Sequence, residues 1–125
     1  MPPSFAEPAI LPWLEAASPA ATDGLLFGVI GMSGDGTVVV YNAWEAGFAG
    51  LTPSRVIGRH FFQSVAPCTN NYMIAQRFET ESELDALLDY VFTLRMSPTP
   101  VRLRLLRSAV ATKMYLLVER RLAGG

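Results

Sequence analysis

Leu87-Leu88-Asp89-Tyr90-Val91-Phe92-Thr93-Leu94-Arg95-Met96, then Ser97-Pro98-Thr99-Pro100, then Val101-Arg102-Leu103-Arg104-Leu105 is the stretch that decides the fold. The first block has the apolar and aromatic character of a strand, and the third alternates apolar and charged residues with the period of two that a pleated strand imposes. The prolines between them lack the N–H that a ladder needs, so they mark a turn. Lys113 to Arg121 reads as one more strand, which makes this half of the chain a three-stranded meander. Upstream, Gly24 to Met32 is apolar and bounded by Asp23-Gly24 and Ser33-Gly34-Asp35-Gly36, and Thr37 to Tyr41 is β-branched and aromatic. That is a β-hairpin closed by an Asp-Gly turn.

Between hairpin and meander lie short helices only. Asn42-Ala43-Trp44-Glu45 is a start signal, an N-cap residue with Glu three positions later, and Gly47 and Gly50 keep the helix short. Thr52-Pro53-Ser54-Arg55 starts another, with proline at its first position and Gly58 as the stop. His60 to Val65 gives one further turn, Pro67 places Cys68 in a loop or at a new helix start, and Asn70 or Asn71 opens a helix over Tyr72 to Glu79, followed by the acidic stretch Glu79 to Asp85. At the N-terminus, Pro12 to Ala17 supports one or two helical turns, and Phe5, Ile10, Trp13 and Leu14 are apolar enough to pack back on the domain. The expected architecture is α+β, one five-stranded antiparallel sheet with short helices and a docked N-terminal cap over residues 1–22, a single domain over 23–121 and a tail over 122–125.

Composition bounds function by exclusion. Half of the 125 residues are apolar and 17% are charged, which fits a folded domain with one core rather than a disordered chain. A net charge of −1 gives no field to draw polyanions or anionic lipid, so neither nucleic acid nor membrane is an expected partner. One cysteine, Cys68, excludes an internal disulfide, and with a single histidine, His60, it cannot complete a zinc site, so no metal is expected and the chain reads as cytoplasmic. The glycines at 28, 31, 34 and 36 sit in a hairpin with no helix N-terminus after them, so they form no phosphate loop. A Cys68–His60 pair lacks an orienting acid and an oxyanion motif, and the chain is not read as an enzyme. Arg102, Arg104 and Arg107 read as a solvent-facing strand edge.

Five short strands around a block of small helices resemble the PAS sensor fold, and three segments narrow the resemblance. Tyr41-Asn42-Ala43-Trp44-Glu45, Val56-Ile57-Gly58-Arg59-His60-Phe61-Phe62-Gln63-Ser64-Val65-Ala66-Pro67-Cys68-Thr69 and Phe92-Thr93-Leu94-Arg95-Met96-Ser97-Pro98-Thr99 are similar to the photoactive yellow protein family, over about Gly24 to Arg121. The Phe-Phe-x-x-Val-Ala-Pro-Cys-Thr run is the most specific, because a general PAS domain has no reason to keep that cysteine. The resemblance implies a blue-light photoreceptor carrying p-coumaric acid as a thioester on Cys68. Tyr41 and Glu45 would hydrogen-bond its phenolate oxygen, and Phe61, Phe62, Phe92 and Met96 would supply much of the apolar wall of a cavity joining Cys68 to them. A buried phenolate needs charge-assisted donors, and a Glu beside it holds its proton because desolvation and a neighbouring anion both raise a carboxyl pKa. Light would isomerise the chromophore, the Glu45 proton would pass to the phenolate, and the N-terminal cap would loosen. The partner implied is a downstream signalling protein of unknown identity, with the chain a monomer or weak homodimer.

Three positions depart from the family pattern. Ala49 stands where the family usually has a supporting Thr, Leu51 where it has an Arg over the ring, and Leu94 where it has a Tyr. Plainer readings stand beside the sharper ones. Cys68 alone fits a small buried hydrophobe, Glu45 fits the acid of an Asn42 capping box with its carboxylate on backbone N–H, and the whole chain fits a chromophore-free PAS interaction module.

Overall fold

The computed structural model describes residues 2–93 and 98–120. Helices α1 (Ile10–Ala16) and α2 (Pro19–Asp23) precede strands β1 (Gly28–Met32) and β2 (Val38–Tyr41), which are followed by α3 (Ala43–Ala49) and α4 (Pro53–Val56). A wide turn over Phe61–Val65 and a tight turn over Pro67–Thr69 lead to α5 (Ala75–Thr80) and to strands β3 (Leu84–Phe92), β4 (Thr99–Arg107) and β5 (Met114–Arg120). All pairings are antiparallel, in the order β2-β1-β5-β4-β3. The hairpin and the meander therefore join through β1 and β5, the two strands furthest apart in the chain.

Period-two alternation sorts the side chains between two cores. On one face Ile30, Met32, Leu103, Leu105, Met114, Leu116 and Val118 pack with Val56, Phe61, Phe62, Ile74 and Phe78 from the helical block. On the other, Val29, Leu106, Tyr115 and Leu117 pack with Phe5, Ile10, Leu14, Leu25 and Phe27, so the first residues do dock on the sheet. Each such buried side chain contributes about 1.5–3 kcal/mol of burial, which is why this segment is held rather than free. Trp13 is only partly buried against that cluster.

Several boundaries differ from the expectations above. Ile10, not Pro12, opens α1, and α2 was not foreseen although Ser18 caps it and Pro19 occupies its first position. Strand β3 begins at Leu84, inside what reads as an acidic stretch, because alternation puts Asp85 outward while Leu84 is buried. Thr99 and Pro100 belong to β4, opposite Phe92 and Val91, rather than to the turn. A proline is tolerated there because it stands next to the strand's first residue. The regular part of α5 starts at Ala75, with Asn71 Oδ1 accepting from the N–H groups of Met73 and Ile74 just before it. Leu94, Met96, Ser97, Arg121 and the 122–125 tail lie outside the described residues.

The arginines of β4 correct the expectation of a solvent-facing edge. Strand β4 is interior to the sheet, and Arg104 is 4% exposed. Its Nε and Nη2 donate to the two carboxylate oxygens of Asp85, each at 2.9 Å, and Nη1 donates to the carbonyls of Phe5 and Glu7 at 3.0 and 2.8 Å. Alternation fixes the face a residue takes but not what covers that face, and here the N-terminal segment covers it. Arg107 points the other way and donates to the Phe78 carbonyl, while Arg102 stays half exposed, 4.0 Å from Glu119.

Candidate functional site

Strand β2 ends at Tyr41, and the chain turns at once into α3 because Asn42 works on both sides of the junction. Its Oδ1 accepts from Glu45 N–H at the helix start and from Val29 N–H on β1, and its Nδ2 donates to the carbonyls of Thr22 and Phe27. A buried amide with all four contacts made fixes α3 against β1. Asp23 adds a bond from Ala43 N–H. This locks Glu45 beneath the helix, 1% exposed, with its carboxyl against β1. A Cβ at Gly28 would come within 2.3 Å of Glu45 Oε1, so the strand can carry only glycine there without the carboxyl moving.

The Glu45 carboxylate does not return to the Asn42 backbone, so half of the capping-box reading fails. Asn42 caps the helix, but its N–H goes to Val29 O and Glu45 turns inward. There Arg120 Nη2 from β5 donates to Glu45 Oε2 at 2.6 Å, with both side chains buried. Glu45 Oε1 and Arg120 Nε have no hydrogen-bond partner among the described residues. Burial pushes the Glu45 carboxyl above the usual carboxylate range, and the charge and hydrogen bond of Arg120 offset only part of it. Tyr41, 5% exposed, is likewise pushed upward, first by burial and then by the negative charge of Glu45, with Arg120 pulling the other way. Tyr41, Glu45 and Arg120 thus share one low-dielectric field.

Cys68 is half-buried in the Pro67–Thr69 turn and packs against the same core that holds Tyr41, Phe61, Phe62 and Phe92. Its presentation depends on neighbours. The wide turn before it closes with Ala66 N–H bonding back to Phe61 O, Thr69 Oγ1 donates to Ala66 O at 2.7 Å, and the Cys68 carbonyl accepts from Tyr90 OH and from Asn71 Nδ2. Asn71 Nδ2 also reaches Tyr90 OH at 2.7 Å. Phe61, Phe62 and Phe92 are buried, and the Phe92 ring lies 5.6 Å from the Arg120 guanidinium, so Arg120 links Glu45 to that apolar wall. Met96 lies outside the described residues. Ala49 is buried on α3, and Leu51, following Gly50 in the left-handed conformation that ends the helix, packs on the core and brings no charge. His60 Nδ1 accepts from Gln63 N–H at the wide turn, which is a capping role.

Well-formed concavities open elsewhere, one of about 360 Å³ over Asp89–Val91 and Pro100–Arg102, another of about 180 Å³ between the β1–β2 turn and α5. Sequence reasoning missed Arg120, Gly28 and Tyr90 as parts of this site. Alternation along β5 was the available signal for Arg120, since Met114, Leu116 and Val118 all face the helical side and 120 continues their parity. No three His, Cys, Asp or Glu among the described residues are grouped to hold a metal ion, and none of their helices is long and apolar enough to cross a membrane.

A five-stranded antiparallel sheet in the order β2-β1-β5-β4-β3, with a block of short helices on one face, is the PAS fold. Solved structures agree: the PAS domain of an HTR-like protein from Haloarcula marismortui superimposes with TM-score 0.65 at 18% identity, covering 83% of this chain and 93% of that one. The photoactive yellow protein domain of the sensor histidine kinase Ppr from Rhodospirillum centenum superimposes with TM-score 0.77 at 37% identity, covering 85% of this chain and 96% of that one. Photoactive yellow protein of Rhodothalassium salexigens is 36% identical over 104 residues, 81% of this chain and 83% of the relative. That of Halochromatium salexigens is 36% identical over 99 residues, 77% and 79%. No protein-family model matches the chain. The chain belongs to the photoactive yellow protein family of PAS photoreceptors.

Proposed function

We propose that this chain is a blue-light sensor that carries p-coumaric acid as a thioester on Cys68. The observation that carries the reading is the buried Glu45 carboxyl, whose Oε1 has no partner among the described residues and lies where a Cβ at Gly28 would force it to move. Leaving a buried carboxyl oxygen unpaired is costly, and once protonated it can donate to a phenolate oxygen, which would satisfy both groups. Family membership supports the same assignment, and Cys68 is the only thiol in the chain.

When bound, p-coumaric acid supplies a conjugated double bond that absorbs blue light and isomerises. The protein's own residues do the rest. Cys68 holds the acyl end, its backbone fixed by Tyr90 and Asn71. Tyr41 and a protonated Glu45 would donate to the phenolic oxygen, and burial raises the Glu45 carboxyl's hold on its proton, a store that could be released when its surroundings change. Phe61, Phe62 and Phe92, all buried, would exclude water and so strengthen those bonds. Downstream, the sensor histidine kinase relative suggests that a signalling protein reads the state of the domain.

A chromophore-free PAS module is the second reading. It is favoured by the pairing of Glu45 with Arg120 and by concavities whose lining includes none of Cys68, Tyr41 and Glu45. Incubating the protein with p-coumaric anhydride separates the two, since the Cys68 thiolate displaces p-coumarate and gains one p-coumaroyl group. Wild type should gain that mass and turn coloured while Cys68→Ala does neither. A wild type that stays colourless and unmodified at Cys68 leaves the second reading standing.

A further inference from the structure

Among the described residues four arginines meet carboxylates, and the two whose own side chains are buried, Arg104 and Arg120, do so differently. Arg104 and Asp85 form a complete fork, both oxygens bonded to Nε and Nη2 at 2.9 Å. Arg120 and Glu45 make one bond at 2.6 Å and leave Glu45 Oε1 and Arg120 Nε buried with no partner among the described residues. Bidentate pairing is the strong arrangement for these groups, and a buried pair recovers its desolvation cost only when its remaining donors and acceptors are satisfied. The Glu45–Arg120 pair is therefore weakly held for its burial.

The guanidinium is held from the sides as well, 5.5 Å from the Phe48 ring centroid and 5.6 Å from that of Phe92. Phe92 belongs to the buried core, but Phe48 is 44% exposed, so one of the two rings flanking the cation borders solvent. Arg120 is also the last residue of β5, where a long side chain can turn outward without disturbing the ladder.

We propose that Arg120 is a displaceable gate: in the unloaded protein its guanidinium pairs with Glu45 and covers Phe92, and a hydroxyaryl ligand enters only as Arg120 gives up Glu45 and turns toward solvent past Phe48. The inference rests on the chromophore reading above for the identity of the ligand, but the unloaded pair is testable without it. The groups acting on Glu45 are Arg120 from β5 and the phenol of Tyr41 from β2, with the Gly28 backbone of β1 closing the third side. Arg120 in place favours the Glu45 carboxylate through its charge and hydrogen bond; without it, burial acts unopposed and favours the protonated carboxyl. Trp44, whose ring is 5.0 Å from that of Phe48, reports the gate.

The test uses the full chain in a Trp13→Phe background, so that Trp44 is the sole indole, and compares wild type with Arg120→Gln, Arg120→Lys and Glu45→Gln at neutral pH. Infrared spectra of the unloaded proteins should show a protonated buried carboxyl in Arg120→Gln, absent from wild type and from the Arg120→Gln/Glu45→Gln double variant. Arg120→Lys, which keeps the charge, should restore the carboxylate. Trp44 fluorescence should change in Arg120→Gln, and p-coumaric anhydride should load Cys68 several-fold faster than in wild type, with Arg120→Lys between them. The gate is overturned if Arg120→Gln, shown folded by circular dichroism, shows no new carboxyl or loads no faster while wild type loads. Should Arg120→Gln fail to fold, Arg120→Lys decides: an intermediate gain in loading supports the gate and none overturns it. Failure of every variant to load, with the carboxyl appearing in Arg120→Gln, upholds the unloaded pair and overturns both ligand entry through the gate and the chromophore reading.

Discussion

Replacing Arg104 by Met should free the N-terminal segment while leaving the sheet intact. The guanidinium is 4% exposed and makes four hydrogen bonds, two to the Asp85 carboxylate and two to the carbonyls of Phe5 and Glu7. Asp85 is 53% exposed, so its pair with Arg104 is screened and contributes little. The two bonds to the segment carry the effect, at about 1.5–3 kcal/mol each for a charged donor. Methionine retains most of the apolar volume, and the carbonyls regain water once the segment lifts, so the net loss is about 2–4 kcal/mol. At 1.4 kcal/mol per tenfold, the detached population should rise roughly thirty-fold to several hundred-fold. Hydrogen exchange resolved by peptide reads this directly: amides of α1 and α2 should lose protection by that factor while those of β4 and β5 stay slow. If α1 exchanges in Arg104→Met as in wild type, the docking rests on Phe5, Ile10 and Leu14 alone and the role given to Arg104 is wrong.

Other consequences follow from single contacts. In Gly28→Ala the new methyl would lie 2.3 Å from Glu45 Oε1, so the carboxyl must retreat. Urea denaturation should show a loss of about 1–3 kcal/mol, as for other overpacked sites, and loading by p-coumaric anhydride should fall; a change under about 0.5 kcal/mol would mean the strand yields instead. Glu15 reaches from α1 to β5. Burial alone would raise its pKa, but bonds from Thr112 N–H, the Tyr115 hydroxyl and the Thr112 hydroxyl, with Lys113 nearby, lower it overall. A carboxyl depressed in the folded state stabilises above its unfolded value and ceases to as pH falls through the folded one. Protection of α1 amides, taken relative to their intrinsic exchange rates, should accordingly fall as pH drops below 4.5, Glu15's ordinary value, and Glu15→Gln should remove that acid sensitivity.

What the sequence disclosed follows from the range of each signal. The hairpin, the meander and the cap on α3 are local: Ser33, Asp35 and Gly36 close their turn within five residues, and Asn42 meets Glu45 N–H three residues on. Segment resemblance supplied Tyr41, Glu45 and Cys68 as the candidate site and reached no further. Arg120 escaped because its meaning depends on β5 lying next to β1, a pairing between residues nearly ninety apart that no window displays. Arg104 escaped for a related reason, since alternation told its face and only the returning N-terminus told that the face is covered. Gly28 looked like one glycine of several in a hairpin until the Glu45 carboxyl was found against it.

A light-minus-dark infrared difference spectrum of the p-coumaroyl-loaded protein, taken on wild type and Glu45→Gln, examines the proposed sensor where it is most exposed. Wild type should bleach reversibly in blue light and lose a buried protonated carboxyl signal, as Glu45 releases its proton. Glu45→Gln should keep its dark colour through the amide donor yet lack that signal. Loaded wild type that does not bleach, or a carboxyl signal that persists unchanged in Glu45→Gln, would show that Glu45 is not the proton store of a light-sensing site.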